Sequence, residues 1–128
     1  MPLEIKIQRI AGIAGAAAVT VQLTGSLDTA TAPELERQIT AVLTGPVTNI
    51  VFDLAQLKFL SSAGIRVFSM ARKTLQERGG QASFVNMQPQ IEAVFEVVKV
   101  LPGIGVFKNA AELDSYLALL QRNQPGSA

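Results

Sequence analysis

The apolar residues of this chain follow two periods in turn: a period of two, typical of strands, and a period of about 3.6, typical of helices. Leu3, Ile5 and Ile7 alternate with polar residues, and the same alternation returns over residues 19–24. Helical stripes begin after residue 31, and short apolar segments separate them. This order predicts an α/β domain with a mixed sheet, because the two opening strands form a hairpin and every later strand follows a helix.

Capping and breaking residues bound the predicted elements. The hairpin is expected to turn within residues 12–15, where two glycines occur. Residues 31–34 have the pattern of a capping box with proline in the first turn, so a helix is predicted to start at Ala32 and to end before Gly45. Residues 47–54 are predicted to form a buried strand, because the only charge in them comes near the end.

The later elements follow from the same signals. In chain order they are a helix over 62–78, a strand over 82–85, a helix opening at Pro89, a strand over 104–107 and a final helix capped by Asn109. The fold expected is thus a single domain over 1–123 with about five strands and about four helices, followed by a polar tail over 124–128. The pattern leaves the strand order open.

Composition argues against several classes of function. The 128 residues are 48% hydrophobic and 16% charged with a net charge of +1, so we expect neither disorder nor direct nucleic-acid binding. Histidine and cysteine are absent, which removes thiol catalysis, the usual zinc sites and Ser–His–Asp triads. Most familiar enzyme classes are disfavoured, and we expect no metal and no cofactor.

An uncharged stretch over residues 10–27 raises the question of a signal peptide or a membrane span. Glycines interrupt it, and apolar residues alternate with polar ones from Val19 to Thr24. The alternation favours a strand. We therefore expect a cytoplasmic protein without membrane insertion.

Two serines lie where chemistry gathers in α/β folds, at the carboxyl end of a predicted parallel strand. Ser61 and Ser62 stand at a helix start, and Ser62 is the candidate N-cap. The hydroxyl could serve only as a cap, or it could accept a phosphate, which backbone NH groups and the helix dipole would stabilise. Arg66, one turn later, is either a phosphate contact or a solvated charge.

Two carboxylates could reach the same edge of the sheet. Asp28 follows the second strand and Asp53 ends the third, so each is a candidate both for a turn or strand-end role and for the site. A carboxylate pair suits acid–base chemistry or Mg²⁺, but no phosphate-binding loop accompanies it.

A contact surface is also predicted on the second helix. Ile65 falls off the apolar stripe of that helix, and we expect it to be exposed beside Ser62, Arg66 and Ser69. An apolar anchor beside a switchable charge suits a protein interface.

These residues resemble the STAS family of bacterial anti-sigma factor antagonists. The segments that carry the resemblance are Leu23-Thr24-Gly25-Ser26-Leu27-Asp28 with Thr31-Ala32, Asp53-Leu54, Phe59-Leu60-Ser61-Ser62-Ala63-Gly64-Ile65-Arg66, and Gly79-Gly80. It runs from about residue 3 to residue 120 and is most specific over 51–66. Many members have Asp where this chain has Ser61, and Ser or Thr where it has Ala63. The resemblance implies a mixed sheet in the same element order.

The resemblance also implies partners and site residues. Family members bind an anti-sigma factor that is also a serine kinase, phosphorylation of a serine at this helix start ends the binding, and a serine phosphatase restores it. Ser62 matches the phosphoacceptor, with Ser61 a less favoured second acceptor. The residues expected to contact the partner are Asp28, Asp53, Ser61, Ala63, Gly64, Ile65, Arg66 and Ser69. No heptad seam or long exposed edge is evident, so a free monomer is expected.

Two other functions remain open at this stage. A STAS accessory subunit of a lipid-transport ABC complex would have the same fold and would associate with an ATPase. A small phosphotransfer enzyme using Asp28 and Asp53 is disfavoured, because the chain lacks histidine, cysteine and a phosphate loop.

Overall fold

The computed structural model describes residues 3–10, 18–100 and 110–122. Its elements are β1 (Leu3–Ile10), β2 (Ala18–Leu27), α1 (Ala32–Leu43), β3 (Asn49–Leu60), α2 (Ser62–Glu77), β4 (Gln81–Val85), α3 (Pro89–Val100) and α4 (Ala110–Arg122). The predicted turn over 12–15, the strand over 104–107 and its neighbour Asn109 lie outside these residues.

The described strands form one mixed sheet in the order β1-β2-β3-β4. β1 and β2 are an antiparallel hairpin, while β2, β3 and β4 run parallel and are joined through α1 and α2. The predicted α/β class and mixed sheet are confirmed, with four strands in the described part of the chain where about five were expected. Sheet order follows sequence order because each crossover returns to the adjacent position.

The hydrophobic core lies on one face of the sheet. Val21 and Phe52 are register partners, and both are fully buried. The other face is polar at the same level, with Gln22 exposed beside Asp53. The largest fully buried side chains are Phe52, Leu23, Leu27, Leu35, Ile39, Ile50, Leu54, Leu57, Leu60, Leu75, Ile91 and Leu117.

Four phenylalanines join the sheet to two helices. Phe52 of β3 stacks on Phe84 of β4 with ring centroids 5.1 Å apart. Phe68 of α2 lies 5.0 Å from each of these rings, and Phe95 of α3 lies 5.0 Å from Phe84. Offset and edge-on aromatic pairs add to the free energy gained by burying the rings, so this cluster fixes α2 and α3 on the sheet.

The third strand is longer than predicted. The sequence predicts a strand that ends at Leu54, because Asp53 is the only charge in the apolar run, whereas β3 continues to Leu60. Asp53 lies on the polar face, while Leu57 and Leu60 keep returning to the core. Two irregularities in the β2–β3 register let both strands bend while they remain paired. The charge of Asp53 therefore indicates which face of β3 is polar, and it does not indicate where the strand ends.

The first helix begins at the predicted residue, but the predicted capping box does not form. α1 starts at Ala32 after Thr31, and Thr31 makes no capping-box bond to the helix. Glu34 instead accepts bonds from Arg37 Nε (2.9 Å) and Gln38 Nε2 (3.0 Å). The Arg37 guanidinium and the Gln38 amide lower the pKa of Glu34 to about 2.

Within the described ranges, no helix is both long enough and apolar enough to cross a membrane.

Candidate functional site

The ends of β2 and β3 meet at one edge of the sheet. Leu27 and Leu60 are register partners, and the Ser61 N–H donates to the Leu27 carbonyl at 2.9 Å. Asp28 and Ser61, the next residues along each strand, therefore lie side by side where α1 and α2 begin. The structure thus brings together two of the predicted site positions, as expected for the carboxyl ends of parallel strands.

Asp28 builds the turn that starts α1. Its Oδ1 accepts hydrogen bonds from the N–H groups of Ala30 (3.0 Å) and Thr31 (3.1 Å). Its own N–H donates to Thr31 Oγ1 at 2.9 Å, and that hydroxyl donates to the Ser26 carbonyl at 2.8 Å. The turn role of Asp28 is confirmed, and this half-buried carboxylate remains next to the seryl pair.

The two serines occupy positions shifted by one from the prediction. Ser61, not Ser62, is the N-cap of α2, with extended backbone angles (φ −102°, ψ 175°), and Ser62 is the first helical residue. Both are buried, with 4% and 3% exposure. The Ser61 hydroxyl does not cap the helix, and its Oγ has no hydrogen-bond partner among the described residues. The predicted side-chain cap is therefore wrong, and a residue from another helix accepts the N–H of Ser62.

That residue is Asp114 of α4, which lies 52 positions along the chain. Its Oδ1 accepts the Ser62 N–H at 2.8 Å. Gln121, two turns further along α4, binds the backbone of Leu60 with both ends of its amide: Oε1 accepts the Leu60 N–H and Nε2 donates to the Leu60 carbonyl, each at 2.8 Å. The sequence analysis missed both residues. Their spacing around Leu117 was the available signal, since it places all three on one helical face.

The electrostatics of the α2 N-terminus depend on this contact. α2 has no acidic residue in its first turn, so Asp114 supplies the negative charge that a helix N-terminus favours. A cap of this kind contributes about 0.5–2 kcal/mol to stability. The opposite face of α4 is open, with Tyr116 42% and Leu119 53% exposed.

The expected contact surface on α2 is only partly exposed. Arg66 and Ser69 are exposed and Ala63 is half-buried. Ile65, predicted to be exposed, is buried at 8% and lines a groove of about 600 Å³ together with Phe68 of α2. The prediction was wrong because α2 packs against α1 and α4 as well as the sheet, so its buried face is wider than one stripe.

Gly64 faces the interior and not a partner. A Cβ atom at this position would lie 2.6 Å from Leu27 Cγ and 2.7 Å from Leu60 Cδ1. Only glycine lets the first turn of α2 approach the ends of both strands this closely. Gly64 therefore sets the distance between the seryl pair and the sheet.

Asp53 lies away from the seryl pair. It sits within β3 on the polar face, roughly 20 Å along the strand from Leu60 at the usual rise per residue. The Ala55 N–H and the Asn86 amide donate to its Oδ1 at 3.1 and 3.2 Å. These hydrogen bonds, the Ala55 one first, lower its pKa. Within the described ranges, no cluster of three or more acidic residues could hold a metal ion.

The chain matches a known domain class. Residues 4–113 match the model of the STAS domain, and the chain belongs to that family. The family assignment made from the sequence motifs is confirmed.

The individual relatives are regulators of sigma factors by name. BtrV of Bordetella bronchiseptica, provisionally named an anti-sigma factor antagonist, is 32% identical over 75 residues, which cover 59% of this chain and 65% of the relative's own length. The unphosphorylated anti-sigma factor antagonist SpoIIAA superposes with a TM-score of 0.56 at 25% identity, covering 71% of this chain and 82% of that one. An anti-sigma factor antagonist from Mycobacterium paratuberculosis shares the fold with a TM-score of 0.53 at 20% identity, over 88% and 95% of the two chains. This chain therefore has the fold of the anti-sigma factor antagonists.

Proposed function

We propose that this protein is an anti-sigma factor antagonist that acts by partner switching in the cytoplasm. It binds an anti-sigma factor that is also a serine kinase, and phosphorylation of Ser62 ends the binding. A serine phosphatase removes the phosphate and thereby restores the binding. The observation that carries the proposal is the seryl pair at the N-terminus of α2, beside Asp28 and at the edge where two parallel strands end.

A phosphate at this position would act through charge. It adds about −1.5 to −2 charges, and the amides of the α2 N-terminus would help to hold it without loss of the sheet. Arg66 and Ser69 continue the surface along the exposed side of α2. A partner that covers this surface would have to desolvate the new dianion, which opposes association.

Binding rather than catalysis fits the way the carboxylates are used. Asp28 Oδ1 accepts the N–H groups of Ala30 and Thr31 in the turn before α1, and Asp53 Oδ1 accepts those of Ala55 and Asn86. The two carboxylates lie on different parts of the sheet, so they do not form an acid–base pair. These observations support a regulatory protein without an activity of its own.

The proposal is tested by isolating the tagged protein from its native cells and mapping phosphate and partners by mass spectrometry. We expect one phosphate on Ser62 and a serine kinase among the co-purifying proteins. Ser62→Ala should retain the kinase, whereas Ser62→Asp should lose it and keep its fold by circular dichroism. Thr40→Asp, which adds the same charge on the exposed side of α1, is the matched control and should bind like the parent.

Two results would overturn the proposal. One is equal affinity of Ser62→Ala and Ser62→Asp for the isolated partner in calorimetry. The other is the absence of phosphate in every growth state together with a membrane ATPase as the main companion, which would favour an accessory subunit of a lipid-transport ABC complex. If the phosphate is found on Ser61 instead, the proposed switch stands and the phosphoacceptor is Ser61.

A further inference from the structure

The helix α4 is attached to the backbone at the β3–α2 junction. Asp114, Leu117 and Gln121 lie on one helical face, and Leu117 is fully buried in the core. Gln121 binds the backbone just before the seryl pair, at Leu60, and Asp114 binds the backbone just after its first member, at Ser62. The two polar contacts bracket Ser61.

Both serines are buried at this attachment. At 3% exposure, Ser62 offers no access to the active site of a kinase, which must surround the accepting oxygen. The buried Ser61 Oγ has no partner among the described residues, so it would gain a hydrogen bond to water if α4 moved away. Burial thus prevents modification, while the unpaired hydroxyl lowers the cost of opening.

We propose that α4 is an intramolecular cover of the seryl pair: it must lift before Ser62 is phosphorylated, and phosphate on Ser62 prevents it from closing. The inference rests on the proposed function for the identity of the modifying enzyme. In the modification, the γ-phosphoryl group of ATP passes to Ser62 Oγ, the hydroxyl proton goes to a base of the kinase and ADP leaves.

Closure and phosphorylation exclude each other for electrostatic reasons. The Asp114 carboxylate already occupies the free amide at the α2 N-terminus, which is the group a phosphate on the same residue would use. A dianion held beside a carboxylate in a buried site repels it strongly, since solvent screens little there. By reciprocity, phosphate on Ser62 favours the lifted state by the same factor by which lifting favours phosphorylation at equilibrium.

The absence of cysteine makes a direct test possible. Ser62→Cys and Ser69→Cys each place a single thiol on α2, one under the cover and one exposed. Their rates of reaction with an aromatic disulfide reagent measure access. We expect the thiol at 62 to react at least about 100-fold more slowly than that at 69, as for a site that reacts only through local opening.

The cover is then loosened by Gln121→Ala, which changes no charge near either thiol. Loss of the two buried bonds to Leu60 should speed the reaction at position 62 by about tenfold and that at 69 by less than about twofold. The proposal is overturned if 62 reacts as fast as 69 in the parent, if Gln121→Ala leaves 62 unchanged, or if it speeds both thiols equally, as in unfolding of the whole domain.

A second measurement applies if Ser62→Cys does not fold. Hydrogen exchange of the Leu60 and Ser62 amides should quicken about tenfold in Gln121→Ala while that of Val21 in β2 is unchanged. If the exchange rates of the Leu60 and Ser62 amides in Gln121→Ala equal those in the parent, the proposal is overturned. Neither experiment involves a kinase, so failure of the cover and failure of the proposed function give separate results.

Discussion

The helices α1 and α2 begin at the same edge of the sheet, after neighbouring parallel strands, yet their N-termini are held differently. At α1, Asp28 accepts the amide of Thr31, three residues further on. At α2, the amide of Ser62 is accepted by Asp114, 52 residues away on another helix. A local cap forms with the turn itself, whereas a distant cap exists only while the two helices touch. The first start is therefore set within the turn, and the second depends on the contact between α2 and α4.

The largest effect is expected from the glycine that brings both starts together. Gly64→Ala should lower the free energy of unfolding by about 2 kcal/mol, because its Cβ would overlap Leu27 and Leu60. Gly45→Ala, whose Cβ would meet only the Val42 carbonyl at 3.6 Å, is the control and should change it by less than about 0.5 kcal/mol. Urea unfolding measures both, and equal losses would show that the close approach at Gly64 does not constrain α2.

Removing the local cap should cost somewhat less. Asp28→Ala should destabilise the domain by about 1.5 kcal/mol, since the amides of Ala30 and Thr31 lose their acceptor. Asp28→Asn keeps an oxygen at that place and should stay within about 0.5 kcal/mol of the parent while it weakens partner binding. If Asp28→Asn unfolds the protein as readily as Asp28→Ala, the charge itself holds the turn.

Removing the distant cap should act locally. In Asp114→Ala, hydrogen exchange of the Ser62 amide should quicken about tenfold, while the global free energy of unfolding falls by about 1 kcal/mol or less. Asp114→Asn retains an acceptor and should preserve most of the protection. A drop in global stability as large as that of Asp28→Ala would abolish the distinction between the two helix starts.

The smallest effect is expected at a carboxylate outside both starts. The pKa of Asp53 in the folded protein lies below its ordinary value, so its contribution is present above the unfolded pKa and is lost as pH falls through the folded one. Asp53→Asn should therefore lower stability at neutral pH by less than about 1 kcal/mol, and the difference from the parent should vanish in acid. Chemical unfolding between pH 2 and pH 7 measures this, and a difference independent of pH would assign the effect to shape, not charge.

The sequence predicted those features of the fold, such as the starts of helices, that depend on residues adjacent in the chain. The start of α1 followed from Pro33 and Thr31, and the helix predicted over 62–78 is observed as Ser62–Glu77, with the N-cap one residue earlier than expected. The capping box failed because Glu34 found stronger partners in Arg37 and Gln38, one turn ahead on its own helix. Local signals give the position of an element well, and they give the partner of a side chain less well.

Only part of the candidate site, the two serines and the neighbouring Asp28, could be predicted from the sequence. Its motif lies within a few residues, and the neighbouring strand brought Asp28 to it through parallel pairing. Asp114 and Gln121 reach it across more than fifty residues, and no rule of spacing within one helix or strand joins them to Ser62. Ile65 was misjudged for the same reason, since its burial depends on a neighbouring helix.

One residue on the outer face of α4 gives the domain an optical property. The chain has a single tyrosine, Tyr116, and no tryptophan. Its tyrosine emission therefore originates from α4 alone, and the phenylalanines of the core add only a weak signal. Changes in the anisotropy of that emission would follow the motion of this helix in the unlabelled protein, in real time and without any substitution.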